Sequence, residues 1–207
     1  MYCPDCRCEF VGWSRRCPVC ETPLVEAPPA PLQTTGEPIA YEALVGLVKE
    51  NGGKLSIEVS TTDVGKEHRW SFPYSGYGFA WAKGMQGVLD SVSVALQTTE
   101  VGMDKKHGFP YRAYRFAWAK GMEGHIGGNQ VTLASTEVVL EKKWGFPYQG
   151  FGYAWMKTMS GTCGQQLIVD LRTTEAGRDK RIRFPYRGYG FAWARKGVLT
   201  LTLNQQL

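Results

Sequence analysis

The chain lacks several things, and each absence excludes something. Its 207 residues contain no apolar run of the roughly 18 residues that a membrane-crossing helix needs, so no membrane contact is expected. The opening string Met-Tyr-Cys-Pro-Asp has neither the basic stretch nor the apolar stretch of a secretory signal, and a cytoplasmic location is expected. Only three histidines occur, His68, His107 and His125, and they hold non-equivalent places in the sequence. There is no Gly-rich phosphate loop, no HExxH and no GxSxG. Catalysis has no visible carrier, and the chain is expected not to be an enzyme. Beyond residue 20, cysteine occurs once, at Cys163.

What is present is unevenly distributed. Residues 1–38 hold three arginines against five acids, a net −2, while the chain as a whole carries +5, which leaves +7 for the remainder. A basic balance of this size permits a polyanionic partner without requiring one. The other five cysteines, Cys3, Cys6, Cys8, Cys17 and Cys20, all fall in the first 20 residues. Cys3-x2-Cys6 and Cys17-x2-Cys20 form two short knuckles, each turning two thiolates toward one point, and together they can complete a tetrahedral Zn2+ site. Pro4 and Pro18 stiffen the two turns. A segment this short has almost no core, so the metal would supply its folding energy. Cys8 could replace Cys6, but its one-residue gap makes a poorer knuckle, and Cys8 and Cys163 are otherwise read as spare thiols without a role. A disulfide cluster is the competing reading, and the lack of a secretory signal argues against it.

Tyr-Cys-Pro-Asp-Cys, Trp13, Arg16-Cys17-Pro18-Val19-Cys20 and Pro23-Leu24 together resemble the short zinc ribbons at the N-termini of many bacterial proteins. The resemblance covers residues 3–24 only and implies structural zinc. It does not identify a partner, because such ribbons serve nucleic-acid, protein and purely structural roles.

Prolines 28, 29, 31 and 38 predict an extended linker over residues 25–38. Pro38 suits a first helical turn. Tyr41, Leu44, Val45 and Val48 then recur at helical spacing, and Asn51-Gly52-Gly53 is a stop signal. One amphipathic helix is predicted over 39–50, laid against the β-domain. Gly46 interrupts it at a cost of about 1 kcal/mol, which close packing there would explain.

The rest of the chain repeats. Phe-Pro-Tyr occurs four times, with its proline at positions 73, 110, 147 and 185. The copies span about 54–87, 91–124, 129–161 and 166–197. Each opens with an alternating apolar strand, such as Leu55, Ile57 and Val59 in the first. A Thr-acid pair follows: Thr62-Asp63, Thr99-Glu100, Thr136-Glu137 and Thr174-Glu175. An acid-base-base group comes next: Glu67-His68-Arg69, Asp104-Lys105-Lys106, Glu141-Lys142-Lys143 and Asp179-Lys180-Arg181. After Phe-Pro-Tyr comes a strand with two unlike faces. One is aromatic, as in Tyr77, Phe79 and Trp81, and the other is small, as in Gly78, Ala80 and Ala82. A Gly/Ala face asks for something packed closely against it, whether the helix, a neighbouring sheet or another chain.

The expected fold is mainly β: a zinc ribbon over 1–24, a linker over 25–38, and a helix plus four-repeat antiparallel domain over 39–207. Two or three strands per copy make eight to twelve, and the domain is expected to close into a barrel-like, pseudo-fourfold structure that leaves no free edge. Twelve aromatics and eleven aliphatics would overfill a small eight-stranded interior, so some aromatics must lie elsewhere.

Arg187-Gly-Tyr-Gly-Phe-Ala-Trp193 is similar to one string of the RNA-recognition motif, but that motif needs helices between its strands and none is predicted here. Its local physics remains available, since aromatics alternating on a strand beside basic residues can stack nucleobases. The expected function is a non-enzymatic binding or scaffold protein. In one form, nucleic acid or another polyanion is bound by Arg69, Lys105, Lys106, Lys142, Lys143, Lys180 and Arg181, with Trp81, Trp118, Trp155 and Trp193 stacking. In another, the Gly/Ala faces self-assemble or hold a protein partner and the ribbon recruits a second one. A weaker third form is a multivalent lectin. Against all three stands the plainer reading, in which the aromatics are core and the charged groups are strand-end chemistry.

Overall fold

The computed structural model describes residues 2–3, 8–9, 38–71, 75–108, 112–145, 149–183 and 187–204. Cys6, Cys17, Cys20, residues 25–37 of the expected linker and the four Phe-Pro-Tyr triplets lie outside the described residues. Strands β1 (Tyr2–Cys3) and β2 (Cys8–Glu9) pair antiparallel, with Cys3 opposite Cys8. Helix α1 spans Tyr41–Glu50. Eight long strands follow: β3 (Lys54–Ser71), β4 (Ser75–Leu89), β5 (Val92–Gly108), β6 (Arg112–Ile126), β7 (Asn129–Gly145), β8 (Gln149–Cys163), β9 (Leu167–Arg183) and β10 (Arg187–Leu203).

Each sequence repeat is one hairpin. β3–β4, β5–β6, β7–β8 and β9–β10 are hairpins 1 to 4. Neighbouring hairpins pair in chain order, and β10 pairs with β3, so the sheet closes into an eight-stranded antiparallel barrel. Closure satisfies every edge at the base. Strand β10 runs on to Leu203, and its last residues close on β3, with Thr202 opposite Lys54.

The barrel proper occupies only one end of these strands. Between hairpins the ladder is short, as in Gly84–Leu89 against Val92–Gln97. Within hairpin 2 it runs the full length, to Gly108 opposite Arg112. Above the barrel the hairpins therefore continue as four arms that run away from α1. The period-two aliphatics fill the barrel: Leu55, Ile57 and Val59, Val92, Val94 and Leu96, Val131 and Leu133, and Leu167, Val169 and Leu171 are all buried in one cluster. Met85, Met122, Met159, Leu199 and Leu201 complete it from the second strands. Outward neighbours such as Ser56, Glu58, Thr132 and Asp170 are exposed. That is the reverse of the alternation by which a barrel crosses a bilayer.

Helix α1 closes the other end of the barrel, with Leu44, Val45 and Val48 buried in the same cluster. It begins two residues later than predicted, and Pro38 is not in its first turn. Residues 38–40 instead run along the β6–β7 turn, where the Ile39 N–H donates to the Gly127 carbonyl at 2.7 Å and Asn129 Nδ2 donates to the Ile39 carbonyl at 3.0 Å. Tyr41 pins the helix to the β8–β9 turn: its hydroxyl donates to the Cys163 carbonyl at 3.1 Å and accepts from the Gln166 N–H at 2.8 Å. The helix stops where Asn51-Gly52-Gly53 predicts. Gly52 and Gly53 take φ of 71° and 83°, and their N–H groups reach the Lys49 and Val48 carbonyls.

Close packing does not explain Gly46, because a Cβ there would meet nothing within 4 Å. Gly46→Ala is therefore expected to stabilise the domain by about 1 kcal/mol, read as a rise of about 2–4 °C in Tm.

Candidate functional site

The Gly/Ala faces and the aromatic faces meet each other. Phe79 and Trp81 of hairpin 1 pack on Ala117 and Val101 of hairpin 2. Phe116 and Trp118 of hairpin 2 pack on Ala154 and Leu140 of hairpin 3. Tyr153 and Trp155 of hairpin 3 pack on Ala192 and Ala176 of hairpin 4. Phe191 and Trp193 of hairpin 4 return to Ala80 and Val64 of hairpin 1. The arms form a pinwheel of four equivalent seams, and of the partners open in the sequence, the neighbouring sheet is the one found. Small side chains let β4, β6, β8 and β10 approach one another around the axis beyond the end of the inter-hairpin ladders. Ala82, Ala119, Met156 and Ala194 form the layer between the seams and the barrel core.

Each tryptophan also lies over its own hairpin. Gly65, Gly102 and Gly177 stand directly across the ladder from Trp81, Trp118 and Trp193. A Cβ at those glycines would fall 2.2 to 2.4 Å from the indole. In hairpin 3 the equivalent residue is Val139, opposite Trp155. Trp155 is buried and the other three are half-buried, with their faces in the seams. A cation from the next arm covers two of them. Lys66 Nζ lies 5.2 Å from the Trp193 ring and Arg178 lies 5.1 Å from the Trp155 ring. Lys66 also pairs with Asp179 at 3.7 Å, and Arg178 with Glu141 at 2.9 Å. The acid of the acid-base-base group thus ties one arm to the next in these two seams.

The Thr-acid signature marks the place where each arm leaves the barrel. The ladder shifts register at Thr61/Asp63, Thr98/Glu100, Ser135/Glu137 and, in hairpin 4, around Ala194 and Lys196. A bulge here rotates the strand, so the inward aliphatic pattern below gives way to the seam pattern above. The acid of each pair binds the cation at the end of the aromatic run: Asp63–Lys83 at 3.1 Å, Glu100–Lys120 at 2.6 Å, Glu137–Lys157 at 2.7 Å and Glu175–Arg195 at 2.9 Å. These pairs are solvent-exposed, so each contributes little to stability.

The hydroxyl one residue before each signature carries more, and the sequence reading passed over it. Where the inter-hairpin ladder ends, Thr61 donates to the Ala194 carbonyl, Thr98 to Ala82 at 2.5 Å and Thr173 to Met156 at 2.6 Å. Each side chain takes over from the backbone at the split between two arms. The repeat of Thr or Ser at 61, 98, 135 and 173 was the available signal.

The basic candidates all belong to the far ends of the arms. His68 and Arg69 pair with Gly78 and Tyr77, and Lys105 and Lys106 with Arg115 and Tyr114. Lys142 and Lys143 pair with Gly152 and Phe151, and Lys180 and Arg181 with Gly190 and Tyr189. Lys142 is exposed, whereas the side chains of Arg69, Lys105, Lys106, Lys143, Lys180 and Arg181 lie outside the described residues. The topology gathers these positions from four distant stretches of sequence to one end of the molecule. Segments 67–78, 104–115, 141–152 and 179–190 hold eleven Lys/Arg against four Asp/Glu. That is the whole +7 excess of the chain beyond residue 38, so the barrel, helix and lower arms sum to zero.

Other features of the described residues are less productive. Among them no three His, Cys, Asp or Glu side chains gather as a metal site. Cys163 is buried at the helix end, and desolvation pushes its thiol pKa up, which disfavours the reactive thiolate. A groove of about 610 Å³ between α1 and Gly164–Gln166 brings one acid and one base, Glu42 and Lys49, to its walls. No protein-family model, curated protein or solved structure matches the chain.

Ser135 is the one signature hydroxyl that is buried without a partner, although the equivalent carbonyl, that of Ala119, is the counterpart of those its three relatives reach. Ser135→Thr copies the other repeats and biases the rotamer toward that bond. The expected outcome is a gain of about 1 kcal/mol in the free energy of urea unfolding.

Proposed function

We propose that this chain is a non-enzymatic nucleic-acid-binding module that contacts the phosphate backbone with the end of the barrel formed by the four arms. The observation that carries the reading is the charge placement. Every unit of the domain's excess positive charge belongs to the four arm ends, and the closed meander puts those ends side by side. A polyanion approaching this end meets a concentrated field, while one approaching the helix end meets none. The seams supply rigidity. Arms locked to one another through buried aromatics hold the basic positions at fixed spacing, which lowers the ordering cost of binding.

The rival readings drew on features that have partners inside the molecule. The Gly/Ala faces that suggested self-assembly are covered by the aromatics of the adjacent arm. The Thr-acid pairs, the polar groups that a lectin would set beside its aromatics to hold a sugar, sit at the roots of the arms, with their acids bound to Lys83, Lys120, Lys157 and Arg195.

For the N-terminal segment we propose one structural Zn2+ held by Cys3, Cys6, Cys17 and Cys20. The antiparallel pairing of Tyr2–Cys3 with Cys8–Glu9 supports it, because it turns the chain back on itself between Cys3 and Cys8, the stretch that contains Cys6. Four thiolates are a donor set suited to zinc.

Two measurements test these readings. Titration of the full chain with a fluorescent oligonucleotide at about 50 and about 200 mM salt is expected to show affinity falling by orders of magnitude. Failure to bind at the lower salt would end the nucleic-acid reading. Metal analysis after gel filtration is expected to find about one zinc per chain, retained in Cys8→Ser and lost in the Cys17→Ser, Cys20→Ser double variant. Zinc lost from Cys8→Ser and kept by the double variant would overturn this ligand set.

A further inference from the structure

The four arm ends are equivalent in fold but not in charge. Position for position, Ser75 of hairpin 1 and Gln149 of hairpin 3 correspond to Arg112 of hairpin 2 and Arg187 of hairpin 4. Just before the triplet, Ser71, Gly108 and Gly145 correspond to Arg183 of hairpin 4. Four residues after its proline's successor, where three arms carry Gly78, Gly152 and Gly190, hairpin 2 carries Arg115. Hairpins 2 and 4 thus hold eight of the eleven basic residues of the arm ends, each with a net +3, against 0 for hairpin 1 and +1 for hairpin 3. In the closed order the hairpins follow one another as 1, 2, 3, 4 and back to 1, so 2 and 4 face each other across the axis. The fourfold fold therefore carries a twofold charge pattern: two opposed basic arms separated by two nearly neutral ones.

Resting on the nucleic-acid reading above, we propose that the end of the molecule binds one single strand along this diagonal. The strand's phosphates are held by hairpin 2, through Lys105, Lys106, Arg112 and Arg115, and by hairpin 4, through Lys180, Arg181, Arg183 and Arg187. A ring of four equal sites would need equal charge on the four arms. A band favours a linear polyanion, which crosses the end once. The choice of a single strand follows from the aromatic content of the same segments. Each arm end adds a Phe and a Tyr from its triplet, and Trp70, His107 and Trp144 precede three of them. Basic residues interleaved with aromatics suit unpaired bases, which expose faces for stacking, better than a duplex, whose bases are already stacked.

The test compares two variants of the full chain that remove equal charge. One is the triple variant Arg112→Gln, Arg183→Gln, Arg187→Gln, on the proposed band. The other is Arg69→Gln, Lys142→Gln, Lys143→Gln, off it. Each is titrated with a labelled single strand and with the duplex of the same length, and thermal melts check that both variants fold. The band variant is expected to lose about tenfold or more in affinity for the single strand, and its salt slope to fall by about 2, while the off-band variant changes by less than about threefold. A converse variant, Ser75→Arg with Gln149→Arg, covers the case in which the band variant does not fold. It adds two charges off the band and is expected to tighten binding by less than about threefold. Equal losses in the two triple variants, or strong tightening in the converse variant, would overturn the band and leave the nucleic-acid reading standing. Tighter binding of the duplex would overturn the single-strand assignment. A wild-type chain that binds neither would overturn the band together with the reading on which it rests.

Discussion

The fold above the barrel depends on one contact made four times, an aromatic face laid on a Gly/Ala face. Neither face is stable alone. Phe79 and Trp81 exposed on an isolated hairpin would leave large apolar area in water, and Ala80 and Ala82 on its other side have no side chain with which to cover anything. Each hairpin therefore offers a donor face and an acceptor face, and a single direction of packing satisfies both. The chain of contacts closes only when the fourth donor, Phe191 with Trp193, reaches the first acceptor, Ala80 with Val64. Closure of the seams and closure of the barrel are one event seen at two heights.

The polar groups follow from that geometry. An arm that splits from its neighbour leaves the end of a backbone ladder unsatisfied, and the hydroxyls of Thr61, Thr98 and Thr173 fill it. An arm that must also turn its faces from barrel to seam needs a bulge, and the Thr-acid pair sits on it. Asp179 and Glu141 accept Lys66 and Arg178 from the next arm, which carry their charges over Trp193 and Trp155. Where the third copy departs from the others, with Val139 for glycine, Met156 for alanine and Ser135 for threonine, one seam is repacked and one hydroxyl is left without its bond.

Much of this was legible in advance. Period-two aliphatics predicted the strands, and the recurrence of Phe-Pro-Tyr predicted four equal units of two or three strands, which the structure resolves as hairpins. Asn51-Gly52-Gly53 fixed the end of the helix. Its start was misplaced because Pro38 reads locally as a first-turn residue, whereas the N–H of Ile39 is taken by Gly127, a partner 88 residues away in sequence. The mismatch between aromatic load and barrel volume was a correct warning. It could say that the aromatics lay elsewhere, but not that they lay in seams between arms, since a residue's alternation names its face and not what that face meets.

Local chemistry thus determined the repeat unit, its strands and the helix, because period and spacing are properties of neighbouring residues. The tertiary structure decided what those faces touch, and it decided the charge pattern. Arg112 and Arg187 stand 75 positions apart in the chain, and nothing in their sequence neighbourhoods relates them. They come to stand on opposite hairpins only because eight strands close on themselves in order, a global constraint that no local window of residues contains.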